Sequence, residues 1–146
     1  MKKFYFHLNK YRNFKLQEEK MAQLEFAMAR KAFQEETAKL AAIQKKTSEL
    51  FDINRKLLCG NIQRELLDAC YGCLQVQQNA LAEQAAVVLK AEEKMQREQK
   101  VYLEARKTSK LLERLYQREW TAYYQEFLRV EQKTLDEIGL LSYVRN

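Results

Sequence analysis

The residues able to do chemistry are few and stand apart. Cys70-x-x-Cys73 has the spacing of half a zinc site, but Cys59 and the single histidine, His7, do not supply a second close pair. The bland reading, small cysteines without metal, is the expected one. Adjacent acids at Glu92-Glu93 and Asp136-Glu137 fall on stretches that read as exposed helix, where no concave site shifts a carboxyl toward acid-base work. There is no glycine-rich phosphate loop, no His-Glu-x-x-His and no Gly-x-Ser-x-Gly. The expectation is a protein without catalytic residues, metal or cofactor.

Two other stretches carry unusual side chains. Residues 2 to 15, "KKFYFHLNKYRNFK", interleave cations with rings, and the first seventeen residues contain no acid. Such a segment suits an anionic membrane surface or RNA. The alternative is that its rings pack internally while its lysines are merely solvated. Residues 112 to 127, "LERLYQREWTAYYQEF", hold the one tryptophan and several further rings amid dense charge.

The elements that must position these residues are helices. Three glycines and no proline in 146 residues leave little material for tight turns, while strong helix formers dominate. Charged residues make up 32% of the chain and space out the apolar ones, as in long helices and coiled coils. No run approaches the roughly 18 apolar residues that cross a bilayer, and the opening lacks a secretory h-region, so the chain is expected to stay in the cytosol with reduced thiols.

Phe26, Ala29, Phe33, Glu36, Leu40, Ile43, Thr47, Leu50, Asn54 and Leu57 alternate steps of three and four, and seven of these ten are apolar. That is a heptad seam. A second alternation starts at Leu74 and runs through Gln78, Leu81, Ala85, Val88, Glu92 and Met95. It continues through Gln99, Tyr102, Arg106, Ser109, Glu113, Tyr116, Trp120, Tyr123 and Phe127, then Val130, Thr134, Glu137, Leu141 and Val144. Gly60-Asn61 is the best break between the two seams, since both residues tolerate the left-handed conformation that ends helices.

The predicted fold is therefore all-α: a long antiparallel two-helix coiled coil, or helical hairpin, forming a single domain over residues 1 to 146. Its helices run from about 5 to 58 and about 63 to 143, joined by a turn at about 59 to 62. Gly72 is a second candidate break, which would leave residues 61 to 71 as a short tip helix; carried inside a helix, it costs only about 1 kcal/mol. Residues 66 to 91 carry charge only at Asp68, Glu83 and Lys90, so they either pack within the chain or face a partner.

A turn near 60 sets residues 4 to 14 opposite roughly 112 to 124. Tyr116, Trp120 and Tyr123 are thus expected to meet Phe4, Phe6, Tyr11 and Phe14, pinning an end that would otherwise fray. Beyond about residue 124 the second helix overhangs, and Phe127, Val130, Leu141 and Val144 lack intrachain cover. Such a stripe implies docking, with Arg129 and Lys133 flanking it and Asp136 and Glu137 beside them.

Phe4-x-Phe6-x-Leu8, the break near 60 and the C-terminal "RVEQKTLDEIG" resemble the FliJ family of the bacterial flagellar protein-export apparatus. The most specific piece is Glu131-Gln132-Lys133 followed by Leu135-Asp136-Glu137-Ile138, and the resemblance covers the whole chain. It implies a non-enzymatic, stalk-like rod similar to the gamma subunit of rotary ATPases. Such a rod binds the hexameric flagellar export ATPase, contacts the cytoplasmic linker of the export gate and handles export chaperones. It would sit on the cytoplasmic side of the inner membrane through the gate, with no nucleic acid as partner.

On that resemblance the overhang residues Phe127, Arg129, Val130, Lys133, Asp136, Glu137 and Leu141 are the expected ring contact. The expected gate contact is Cys73, Gln77, Ala80, Leu81 and Gln84, where the family carries bulkier apolar side chains. Virulence-type secretion stalks share the architecture and form the alternative identity. A generic homodimeric coiled coil, or a nucleic-acid or membrane binder acting through residues 2 to 15, are the alternatives from other classes.

The helix lengths predict a maximum dimension on the order of 100 Å for the isolated chain in small-angle scattering. A compact particle about 50 Å across would refute the hairpin.

Overall fold

The computed structural model describes residues 3 to 144, apart from the side chains of Ser142 and Val144. It is all-α, built from two long helices packed against each other, α1 (Asn9–Leu58) and α2 (Arg64–Val144). The packing divides into two units, one of residues 22 to 102 and one joining residues 1 to 21 to 103 to 146. Lys2, counted in the basic opening stretch, lies outside the described residues.

Both helix ends at the connection suit their dipoles, with Arg55 and Lys56 in the last turn of α1 and Glu65 in the first turn of α2. The connection, residues 59 to 63, contains Gly60, yet no described glycine or other residue adopts a positive φ. The expected left-handed cap is therefore absent, and Gly60 ends α1 through its poor helix propensity rather than through a special conformation. Gly72 lies inside an unbroken α2, and a methyl group added there would meet nothing within 4 Å. Neither a break near 72 nor a separate tip helix forms, because the eight helical residues before Gly72 and the much longer run after it outweigh one glycine.

In the unit of residues 22 to 102 the α1 seam lies where the heptads place it. Between Phe26 and Leu57 the ten seam positions are the ones withdrawn from solvent, and every residue between them is exposed. The antiparallel pairing is fixed by contacts along its length. The Phe26 and Tyr102 rings stack at 6.0 Å, and the buried Cys70 thiol lies 3.9 Å from the Leu50 carbonyl.

The α2 seam follows a different alternation from the one expected. Leu74, Leu81, Val88, Met95 and Tyr102 are withdrawn, and so is the expected Glu92 beside Ala91, but the other intervening inward positions include Gln77, Gln84 and Glu98 rather than Gln78, Ala85 and Gln99. A step of three then four and a step of four then three are both heptads, so spacing alone does not choose between them. Gln84 shows what does: its amide donates to the Glu36 carbonyl at 3.1 Å and to the Glu36 carboxylate at 2.6 Å.

This seam is thin and polar. Its buried members are Ala22, Ala29, Cys70 and Leu74 together with Thr47 and Asn54. Thr47 satisfies its hydroxyl on the Ile43 carbonyl at 2.8 Å, whereas Asn54 Oδ1 is buried without a partner. Burying an unpaired acceptor costs about 1 to 3 kcal/mol, a sacrifice of stability of the kind that fixes register in coiled coils.

In the other unit, α1 does not start near residue 5. Residues 3 to 6 are extended and residues 7 to 8 form a turn closed by Asn9 N–H donating to the Phe6 carbonyl at 3.1 Å. The rings explain the late start. Phe4 meets Tyr116, Trp120 and Tyr123 at 5.7, 5.0 and 5.3 Å, and Phe6, only 4% exposed, meets Tyr116 edge-on at 5.3 Å. Side chains two apart share a side only in extended backbone; in a helix Phe4 and Phe6 would point nearly opposite ways.

Arg12 then closes the assembly, its guanidinium 4.0 Å over the Tyr116 ring and 3.8 Å from the Glu113 carboxylate. Tyr11 and Phe14, expected among these rings, are instead about half exposed. The inward α2 positions here are Ala105, Thr108, Ser109, Leu112, Tyr116, Glu119 and Tyr123, while Arg106, Glu113 and Trp120 are exposed.

Phe6→Ala should cost about 3 to 5 kcal/mol locally, as expected for a buried ring, and Trp120→Ala clearly less, because the indole is 44% exposed. Amide exchange over residues 3 to 20 checks the order; equal protection in both variants would show that Phe6 is not the anchor.

The Glu36 carboxyl is held below its usual range, first by the hydrogen bond from Lys39 and then by that from Gln84. A lowered carboxyl pKa gives stability that is present above the unfolded value and is lost as pH falls through the folded one. Gln84→Ala should raise the Glu36 pKa, read by NMR titration, and shift acid-side loosening of residues 22 to 102 to higher pH.

Candidate functional site

The overhang belongs to the unit of residues 1 to 21 and 103 to 146. The extended Phe4–Phe6 segment covers α2 as far as Tyr123, and Phe127 is the last half-buried residue among those described. Its ring stacks on Tyr124 at 6.4 Å and 16°. From 128 to 141 every residue is exposed. The helix persists because it satisfies its own backbone, and local bonds support it, such as the Thr134 hydroxyl donating to the Val130 carbonyl at 3.0 Å.

The residues expected on this surface are placed as follows. Val130 and Leu141 are 41% and 71% exposed, and Lys133, Asp136 and Glu137 are all open to solvent. Arg129 lies 3.7 Å from the Glu126 carboxylate on its own helix, an exposed pair that contributes little and yields readily to a stronger partner. Phe127 departs from expectation in keeping partial cover. The backbone of Val144 continues the helix, but its side chain lies outside the described residues.

The sequence reading missed a second stripe. Tyr124, Leu128, Glu131, Leu135 and Ile138 recur at steps of four, three, four and three, and their apolar members are 45% to 67% exposed. The signal was present in the spacing. The upstream seam, continued in phase, leads to Val130 and Leu141 instead, but residues 128 to 141 are exposed and no described residue there holds that phase. The two stripes adjoin, so a broad side of α2 is apolar.

The stretch expected at the export gate is arranged differently. Cys73 is exposed, but Gln77, Ala80, Leu81 and Gln84 are half-buried toward α1, and Gln84 is the residue bonded to Glu36. Cys70 is buried while Cys73 is exposed, so the two thiols do not converge on a common site. Among the described residues no group of three or more His, Cys, Asp or Glu side chains could hold a metal ion. No described helix is long and apolar enough to cross a membrane. What the overhang can do chemically is present an exposed apolar helix face edged by mixed charge.

The FliJ family model, described as Flagellar FliJ protein, matches residues 4–146. No curated protein and no solved structure matches the chain. A match over nearly the whole length, on a chain of two long packed helices, places this protein in the flagellar FliJ family.

Proposed function

We propose that the chain is a non-enzymatic stalk of the flagellar protein-export apparatus, and that its overhanging end of α2 enters the ring of the export ATPase. The supporting observation is the uninterrupted exposure of residues 128 to 141, with Leu128, Val130, Leu135, Ile138, Leu140 and Leu141 among them. Covering each large apolar side chain is worth about 1.5 to 3 kcal/mol. A helix end of this kind fits a bore whose wall is apolar, while Arg129, Lys133, Asp136 and Glu137 meet opposite charges at its rim. Phe127 lies at the mouth, where cover by the chain itself gives way to cover by the ring.

The second contact in this reading is with the cytoplasmic linker of the export gate, through Cys73, Gln77, Ala80, Leu81 and Gln84. Because four of these are turned toward α1, the linker would engage the exposed edge at Cys73 and the groove margin beside Gln77. Full engagement of Gln84 would require it to leave Glu36. Export chaperones are further partners on this reading, and the protein would be held at the cytoplasmic side of the inner membrane by the gate.

Leu135→Asp with Ile138→Asp tests the ring contact, since both side chains are more than 60% exposed and the fold does not use them. Loss of at least tenfold in the stimulation of ring assembly and ATP hydrolysis is expected, with helix content by circular dichroism unchanged. Phe127→Asp with Val130→Asp should act likewise but also loosen the Tyr124 stack. Wild-type stimulation by the Leu135/Ile138 variant would move the docking surface to the stretch around Gln77 and Leu81.

A further inference from the structure

Positive charge is gathered in one part of this protein. Residues 1 to 21 and 103 to 124 together carry a net charge of +6, as much as the entire chain, whereas residues 22 to 102 carry +1 and residues 125 to 146 carry −1. Within the charged unit, Arg106, Lys110, Arg114 and Arg118 recur every four residues and all are exposed. Like charges at that spacing concentrate positive potential on one helix face.

The same unit exposes rings that the packing does not use. Tyr11 and Phe14 are 47% and 54% exposed on the first two turns of α1, and Tyr5 is 75% exposed. Lys10 and Tyr11 each stand within one helical turn of Phe14, and the Lys15 ammonium lies 5.6 and 5.5 Å from the Tyr11 and Phe14 ring centres. Glu18 holds that ammonium at 2.6 Å, but Lys3 and Lys10 make no ion pair among the described residues. Exposed rings and cations thus alternate along residues 3 to 15 and form the outer surface of that stretch, with no acid before Glu18.

We propose that this surface rests directly on anionic phospholipid, with Lys3 and Lys10 meeting headgroup phosphates while Tyr5, Tyr11 and Phe14 lie at headgroup depth. The rings decide in favour of lipid over a dissolved polyanion. Half-exposed tyrosine and phenylalanine have an apolar body that gains from the boundary between headgroup and acyl chain, and a phosphate chain in water offers them no such layer. The cations of α2 add long-range attraction to the same negative surface. The contact is peripheral and does not depend on the ring or the gate.

Co-sedimentation of the full chain with vesicles tests this. Binding is expected to vesicles containing phosphatidylglycerol and not to pure phosphatidylcholine, and to weaken as salt rises. Lys3→Gln with Lys10→Gln should lower the partition coefficient about 30-fold, from roughly fivefold per cation at an anionic surface. Tyr11→Ser with Phe14→Ser should lower it at least tenfold at unchanged helix content. Failure of the wild-type chain to bind phosphatidylglycerol vesicles at low salt overturns the proposal. So does undiminished binding by the Tyr11/Phe14 variant, which would reduce the surface to bulk charge. Tighter binding to a single-stranded oligonucleotide than to vesicles at matched phosphate and salt also overturns it, in favour of a nucleic-acid partner.

Discussion

The unequal length of the two helices governs most of what this protein can do. α1 has 50 residues and α2 has 81, so α2 has more apolar surface than one partner helix can cover. The chain makes up part of the difference by laying residues 3 to 6 in extended form across Tyr116, Trp120 and Tyr123. An extended residue advances about 3.3 Å against 1.5 Å in a helix, so a few residues of strand-like backbone reach further along α2 than the same residues coiled. Beyond Tyr123 and Phe127 no described residue supplies cover.

Against that constraint, the seam itself looks tuned for register rather than for stability. Its deepest positions are alanine, cysteine, threonine and asparagine far more often than leucine. Small side chains let two helices approach closely but bury little apolar area. Gln84 reaching both the carbonyl and the carboxylate of Glu36 is a specific lock that a slip of one turn would break. A long helix pair gains from one defined register, and an unpaired Asn54 oxygen is tolerable where definition matters more than depth.

Membership of the flagellar FliJ family and the exposed end of α2 bear on the same question from different directions. The family says which apparatus the chain belongs to; the end of α2 is where its apolar side chains are left exposed. The unit of residues 1 to 21 and 103 to 146 also exposes cations and rings, at Lys3, Tyr5, Lys10, Tyr11 and Phe14. Aliphatic docking tolerates salt and a charge-led contact does not, so the two surfaces respond to different conditions.

The heptads from Phe26 to Leu57, the glycine break near residue 60 and the lack of proline were enough by themselves to specify two long helices and which side of α1 turns inward. The reason is that helix formation and amphipathic periodicity are local properties, readable from spacing. The family, too, was legible in Phe4-x-Phe6-x-Leu8 and the "RVEQKTLDEIG" segment. Three features were decided only by tertiary contact. The inward phase of α2 rests on Gln84 meeting Glu36, a pair 48 residues apart that no local pattern ranks above the neighbouring alternative. The opening residues are extended because Phe4 and Phe6 must both face rings more than a hundred positions away, although their two-residue spacing already hinted at it. The width of the exposed apolar face at Tyr124, Leu128, Leu135 and Ile138 depends on where cover ends. Cover ends where the partner chain segment runs out, and that boundary exists only once the two helices are side by side.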